Sequence, residues 1–170
     1  SGYLNTDGGS NVFIGNESGR TNTTGGNNVF LGSFAGYTNN ASNNVFLGNE
    51  AGRFNTSGTN NAFMGYYAGR ANTTGANNVF IGNESGRSNT TGGSNVFIGN
   101  TSGYTNTTGI FNTFIGFEAG YTNNANYNLF IGYQAGKLTT SGSHNTFMGY
   151  QSGLANTTGY ENAYIGFQTG

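Results

Sequence analysis

The sequence predicts an all-β fold: a parallel β-solenoid (β-roll) of about ten coils of 16 or 17 residues, wound with further copies as a parallel homotrimeric rod. Three observations predict it. A pattern first met as Asn-Val-Phe-Ile-Gly at residues 11–15 occurs in ten copies, with its Asn at 11, 28, 44, 61, 78, 95, 112, 128, 145 and 162. Seven intervals are therefore 17 residues long and two are 16, and repetition at a fixed short period is the mark of a stacked, quasi-one-dimensional architecture. Asn-Gly, the strongest signal for a two-residue hairpin, never occurs, which favours one coil per repeat over a meander of hairpins. Finally, both faces of the repeated strand are apolar, whereas a lone solenoid has one lumen and covers only one of them. The second stripe would be an exposed patch of the kind soluble monomers rarely carry, hence the expectation of a trimer around a shared axis.

Numbering the slots of a repeat from that Asn, slots 1–5 read as a strand: β-branched and aromatic residues, no Pro, and a terminal Gly. Slot 3 is aromatic in every copy (Phe13, Phe30, Phe46, Phe63, Phe80, Phe97, Phe114, Phe130, Phe147 and Tyr164). Slot 4 is Ile, Leu or Met, and slot 2 is Val, Ala, Thr or Leu. Alternation along a strand puts these two slots on the side opposite the Phe ladder, and the stricter Phe slot is expected to face the lumen. Slots 6–10 read as a second, more variable extended segment. The Gly at slots 5 and 9 permit corners that a Cβ forbids. Slot 8 is small in every copy, and slots 11–17, such as Thr-Asn-Thr-Thr-Gly-Gly-Asn at 21–27, are turn-rich. Asn recurs at slots 1 and 12, with Thr139 the one exception at slot 12. Stacked copies would bond amide to amide up the rod. The 16-residue copies lose one residue in the turn, where a deletion is tolerated.

No shift in composition marks a boundary, so residues 1–170 read as one repeat array. The array starts and stops in mid-repeat without an evident cap, which suggests an excerpt of a longer fibre. Charged residues make up 6% of the chain and the net charge is -1. Nothing there would attract nucleic acid or an anionic membrane surface. No apolar run approaches the roughly 20 residues of a membrane-spanning helix. Disorder is rejected despite the abundant Gly, Asn and Thr, because disorder requires no aromatic at a fixed phase. At slot 7, Glu17, Glu50, Glu84 and Glu118 alternate with Phe34, Tyr67 and Thr101. The alternation keeps like charges off adjacent coils, and Arg20 and Arg87 stand near Glu17 and Glu84 as partners. Duplication of a two-coil unit would give the same alternation.

The pattern N-x-F-[ILM]-G-x-x-[AS]-G followed by N-T-T-G resembles the short repeats of bacteriophage tail-fibre and bacterial surface proteins. It is also similar to the head repeats of trimeric autotransporter adhesins, a left-handed β-roll of three chains. Phe stands where the adhesin pattern has a small residue, and the period is longer here. The resemblance spans the whole chain. It implies an extracellular, cell-surface or virion fibre that projects a binding site toward a host-surface glycan or receptor.

Catalysis needs convergent titratable groups, and none recur in phase. His144 shares its slot with Asn27, Ser94 and Glu161 and reads as a surface polar residue, while Asp7 shares its slot with Thr24 and Thr74. Gly-Tyr-Gln-Ala-Gly-Lys-Leu-Thr at 132–139 imitates a phosphate loop but is one residue short between Gly and Gly-Lys. No cofactor, metal site or enzymatic activity is expected. The leading reading is a fibre shaft or adhesin stalk whose repeats supply length and stiffness. The alternative is a solitary solenoid that binds a surface. Tyr66, Tyr67, Tyr133, Tyr150 and Phe167 at slots 6 and 7, with Tyr37, Tyr104 and Tyr121 at slot 10, would offer stacking faces to sugars. The competing reading, which is favoured, is that they pack against a neighbouring coil or chain. Ice binding through Asn-Thr-Thr ladders is a third possibility, weakened by Asn40 and Asn124 interrupting the Thr of slot 13.

Overall fold

A computed structural model describes residues 1–170 and contains ten three-residue strands with no helix. In chain order they are β1 Val12–Ile14, β2 Val29–Leu31, β3 Val45–Leu47, β4 Ala62–Met64, β5 Val79–Ile81, β6 Val96–Ile98, β7 Thr113–Ile115, β8 Leu129–Ile131, β9 Thr146–Met148 and β10 Ala163–Ile165. They form one parallel sheet in sequential order, each strand pairing with the next so that every slot meets its own kind: Val12 with Val29, Phe13 with Phe30, Ile14 with Leu31, and so on. The shorter repeats keep this register, with Phe30 opposite Phe46 and Phe114 opposite Phe130. This is the parallel β-solenoid the repeat predicts.

The Phe slot faces the lumen. Phe30, Phe46, Phe63, Phe80, Phe97, Phe114, Phe130 and Phe147 are wholly buried, while Phe13 and Tyr164 at the two ends are partly covered. Their rings stack face to face with centroids 4.7–5.0 Å apart, which is the spacing of one strand to the next. The rest of the lumen is filled by slot 8 and by Asn. Where slot 8 is Ser, its hydroxyl donates to the carbonyl of the aromatic residue one coil on, as Ser85 does to Phe97 at 2.9 Å. The buried hydroxyl is thereby satisfied.

Two local expectations are corrected. The strand covers slots 2–4 rather than 1–5, because the slot-5 Gly turns to positive φ, 136° at Gly82. Slots 6–10 are a succession of turns, not a second extended segment. Both slot 7 and slot 9 occupy the left-handed region, as at Glu84 (φ 55°) and Gly86 (φ 57°), so the chain reverses twice within four residues. At slot 9 Gly is demanded twice over, since a Cβ on Gly86 would come 2.5 Å from the Phe80 ring. The coils still bond to each other through these turns. Of 115 backbone hydrogen bonds, only 18 lie within strands, so most of the coil-to-coil ladder is carried by irregular backbone.

The two Asn slots behave differently. At slot 12 amide bonds amide, as expected, from Asn39 through Asn55 and Asn72 to Asn89. The run breaks beyond it, where both side-chain polar atoms of Asn106 and Oγ1 of Thr139 have no partner. At slot 1 the side chain bonds backbone instead. Its Oδ1 accepts from the backbone N–H of the slot-1 Asn one coil on, as Asn61 Oδ1 does from Asn78 at 2.9 Å, while its Nδ2 donates to the carbonyl of Gly75. This clamp repeats without interruption from Asn11 to Asn162.

Candidate functional site

The structure brings the polar and aromatic candidates to two separate longitudinal surfaces. The first is the edge formed by slots 7, 10 and 11. Glu17 pairs with Arg20 at 2.8 Å and Glu84 with Arg87 at 3.2 Å, the partners expected from spacing. Glu50 accepts from both Arg53 and Arg70, and Glu118 pairs with Lys137 at 2.7 Å. The residues that separate the Glu are partners too. The Arg53 guanidinium lies over Phe34 (4.9 Å) and Phe54 (5.1 Å), Arg70 over Phe54 (4.9 Å) and Tyr67 (5.0 Å), and Arg87 over Tyr67 (5.3 Å) and Tyr104 (5.6 Å). Cations and ring faces thus alternate along this edge, each contact attractive by about 0.5–1 kcal/mol at such exposed positions. Burial would raise the Glu50 carboxyl, but hydrogen bonds and charge from Arg70 and Arg53 outweigh it and hold the group below the ordinary carboxylate range. The same balance, with Lys137 and Gln134 as partners, lowers Glu118.

The second surface is the outer face of the sheet, where slots 17, 2, 4 and 6 project. Val12, Ile14, Val29, Leu31, Met148 and Ile165 are exposed along it, and the central copies of slots 2 and 4 are half-buried by the coils above and below. Every charged side chain of the chain except Asp7 and Glu161 lies in slots 7 and 10, so slots 2, 4 and 6 carry none. The borders of the stripe change character along the rod. Around β1 to β6 they are Asn or Ser, except for Tyr66. From β7 they are aromatic: Phe117, Tyr133, Tyr150 and Phe167 stack at 5.1–5.2 Å along slot 6. Along slot 17, Phe111, Tyr127 and His144 stack at 5.3 and 4.9 Å. A shallow groove of about 470 Å³ runs beside the latter ladder, against Thr113, Leu129 and Thr146.

The eight aromatics read as sugar platforms are therefore divided between surfaces. Tyr37, Tyr67, Tyr104 and Tyr121 sit half-buried on the charged edge, where Tyr104 stacks on Tyr121 at 5.0 Å and Arg53 lies 5.8 Å over Tyr37. Burial, then the neighbouring Tyr104 and Glu118, raises the Tyr121 phenol. Tyr133 and Tyr150 belong to the slot-6 ladder, with ring neighbours on both sides, and Phe167 ends it. Tyr66 lies 3.8 Å from Tyr67. Tyr133 and Tyr150 thus have both ring faces stacked on neighbouring coils, while Tyr66 and Phe167 have one stacked neighbour each. Phe111, Tyr127 and His144 were not distinguished as a ladder by sequence reasoning. Aligning slot 17 alone would have revealed them, but it is the last residue of a drifting turn and has no fixed chemistry.

The Thr of slot 13 also turn inward in a chemical sense. Thr73 Oγ1 donates to the Thr90 carbonyl and Thr90 Oγ1 to the Thr107 carbonyl, both at 3.0 Å. In the short coils the Asn that replaces Thr serves the backbone of its neighbour, since Asn40 Oδ1 accepts from the N–H of Thr23 and of Thr24, both at 2.9 Å. Asn124 Oδ1 does the same for Thr107 and Thr108. In full-length coils the slot-13 carbonyl fills that role, as Thr73 does for Thr56 and Ser57. A side-chain amide thus replaces the peptide carbonyl that the deletion displaces. No three His, Cys, Asp or Glu side chains cluster closely enough to hold a metal ion, and no helix is long and apolar enough to cross a membrane.

No family model, no curated protein and no solved structure matches this chain.

Proposed function

We propose that this chain is a shaft segment of an extracellular, cell-surface or virion fibre, assembled as a parallel homotrimer, which supplies length and stiffness to a binding element. The observation that carries this reading is the slot-1 Asn clamp, which joins every coil to the next from Asn11 to Asn162 and passes through both shortened repeats. A one-dimensional stack distributes its stability over nearest-neighbour contacts, so an unbroken clamp makes a rod of uniform cross-section. Ten coils at about 4.8 Å give a length of about 48 Å. The titratable groups support the same reading, since Glu50, Glu84 and Glu118 pair with cations instead of converging on a cleft. The resemblance to fibre and adhesin repeats supports a location outside the cell. The uncharged, apolar outer stripe supports assembly, because copies of the chain would cover it.

The slot-13 Thr hydroxyls are bonded to carbonyls of the next coil and so form no free ladder of the kind ice binding needs, which favours the shaft reading over ice binding through that row. Light scattering combined with circular dichroism tests the assembly. A β-rich particle of three chains is the expected result. A β-rich monomer would overturn the trimeric shaft and favour the solitary, surface-binding solenoid.

A further inference from the structure

A periodic rod has a problem of its own making. If the outer face of the sheet packs against further copies of this chain, as the proposed shaft requires, then sliding one copy by a whole coil returns nearly the same contacts. Around β1 to β6 slot 2 is Val or Ala, slot 4 is Ile, Leu or Met, and the residue before each strand's Asn is Asn or Ser; Tyr66 on the other border is the one large exception. A slip of about 4.8 Å there exchanges like for like. Register is weakly specified wherever the pattern repeats itself.

We infer that the aromatic borders of β7 to β9, Phe111, Tyr127 and His144 on one side and Phe117, Tyr133 and Tyr150 on the other, are a register clamp that fixes parallel copies of this chain against slippage. Three observations carry it. The slot-17 residues hold a left-handed backbone, with φ of 56° at Phe111, 59° at Tyr127 and 58° at His144. Such a conformation suits Asn and is unfavourable for a bulky ring. The first five coils use Asn or Ser at this slot, so the fold does not demand an aromatic. These three residues are nevertheless exposed, Phe111 at 53% and Tyr127 at 48%, so within one chain only their stacking on each other offsets the strain. Their ladder ends abruptly, with Ser94 before it and Glu161 after it, and a one-coil slip would set a ring against one of those polar residues.

A second copy of the same chain is the occupant that the area and charge support. From slot 17 to slot 6 the face is about 20 Å wide and, over ten coils, about 48 Å long. The resulting ~950 Å² compares with the roughly 800 Å² that each partner commits to a stable interface. Apart from Glu161 on its border the face carries no charge, and a parallel copy brings apolar rows onto apolar rows.

The inference rests on the proposed assembly, and one experiment separates their failures. The chain has no Cys, so Asn83→Cys on the exposed slot-6 row accepts a single nitroxide label. Pulsed EPR then reads the distance between copies, and light scattering the mass. The expected result is one narrow distance in the parent. In Phe111→Asn/Tyr127→Asn/His144→Asn, which restores the residue used at slot 17 in coils one to four, the distance should broaden into components displaced by multiples of about 4.8 Å, or the mass should fall. Circular dichroism should be unchanged. If that variant loses its β signal, Phe117→Asn/Tyr133→Asn/Tyr150→Asn provides the same reading on the other border. An oligomer of parent mass with an unaltered narrow distance in a folded variant overturns the clamp alone. A monomeric parent overturns the shaft assembly and the clamp with it.

Discussion

At the scale of the residue, the lumen leaves almost no choice at slots 3 and 9. Phe80 is wholly buried, stacked between Phe63 and Phe97 at 4.8 Å on either side, and Gly86 lies against its ring. Phe80→Ala should cost roughly 3–5 kcal/mol, since the cavity has aromatic walls that cannot collapse without breaking the coil-to-coil bonds. Chemical denaturation measures it, and a loss below about 1 kcal/mol would mean that the ring is not part of the core. The Phe slot was legible because only a lumen position excludes every non-aromatic residue in ten copies. The left-handed slots 7 and 17 were not legible, since they accept Glu, Phe, Tyr, Thr, Gln and Asn with φ near 55°. Their conformation is imposed by the bonds of adjacent coils and not by the residue itself.

At the scale of the element, each coil is one short strand and a chain of turns, and the turns form most of the ladder. This is why the second extended segment expected over slots 6–10 is absent: its backbone already finds partners in the next coil, as Gly86 N–H does at the Ser102 carbonyl, without becoming a strand. The charged edge belongs to this scale, and acid should weaken it. The Glu50 carboxyl is lowered in the folded chain, so its stabilising effect is fully present above the ordinary carboxylate range. That effect is lost as pH falls through the lowered value. Thermal melting should therefore drop on acidification, and Glu50→Gln should flatten part of that drop. For pairs at the surface the effect is on the order of 0.2–1 kcal/mol each. Superimposable pH profiles for parent and variant would exclude Glu50 as a contributor.

At the scale of the whole molecule, stability is a sum over neighbouring coils, and a coil is a removable unit. Deleting residues 78–94, one 17-residue repeat, joins slot 17 to slot 1 and should leave a folded, shorter rod with a modestly lower melting temperature. Deleting half a coil should abolish the β signal beyond the cut, because the Phe and Asn ladders lose phase. Equal damage from both deletions, read by circular dichroism, would contradict the one-dimensional account. By itself the sequence determined the period, the stacking of each slot on its own kind, the existence of a Phe ladder and the tolerance of the shortened turns, since all of these follow from repetition; that the Phe ladder is the stripe facing the lumen was favoured by its strictness and decided by the structure. Only the tertiary structure decided which Asn bonds amide and which bonds backbone, how Asn40 replaces a carbonyl, and how the aromatics divide between a charged edge and an apolar face. Those outcomes depend on where each backbone N–H and carbonyl points in the adjacent coil, and a pattern along one dimension contains no such directions.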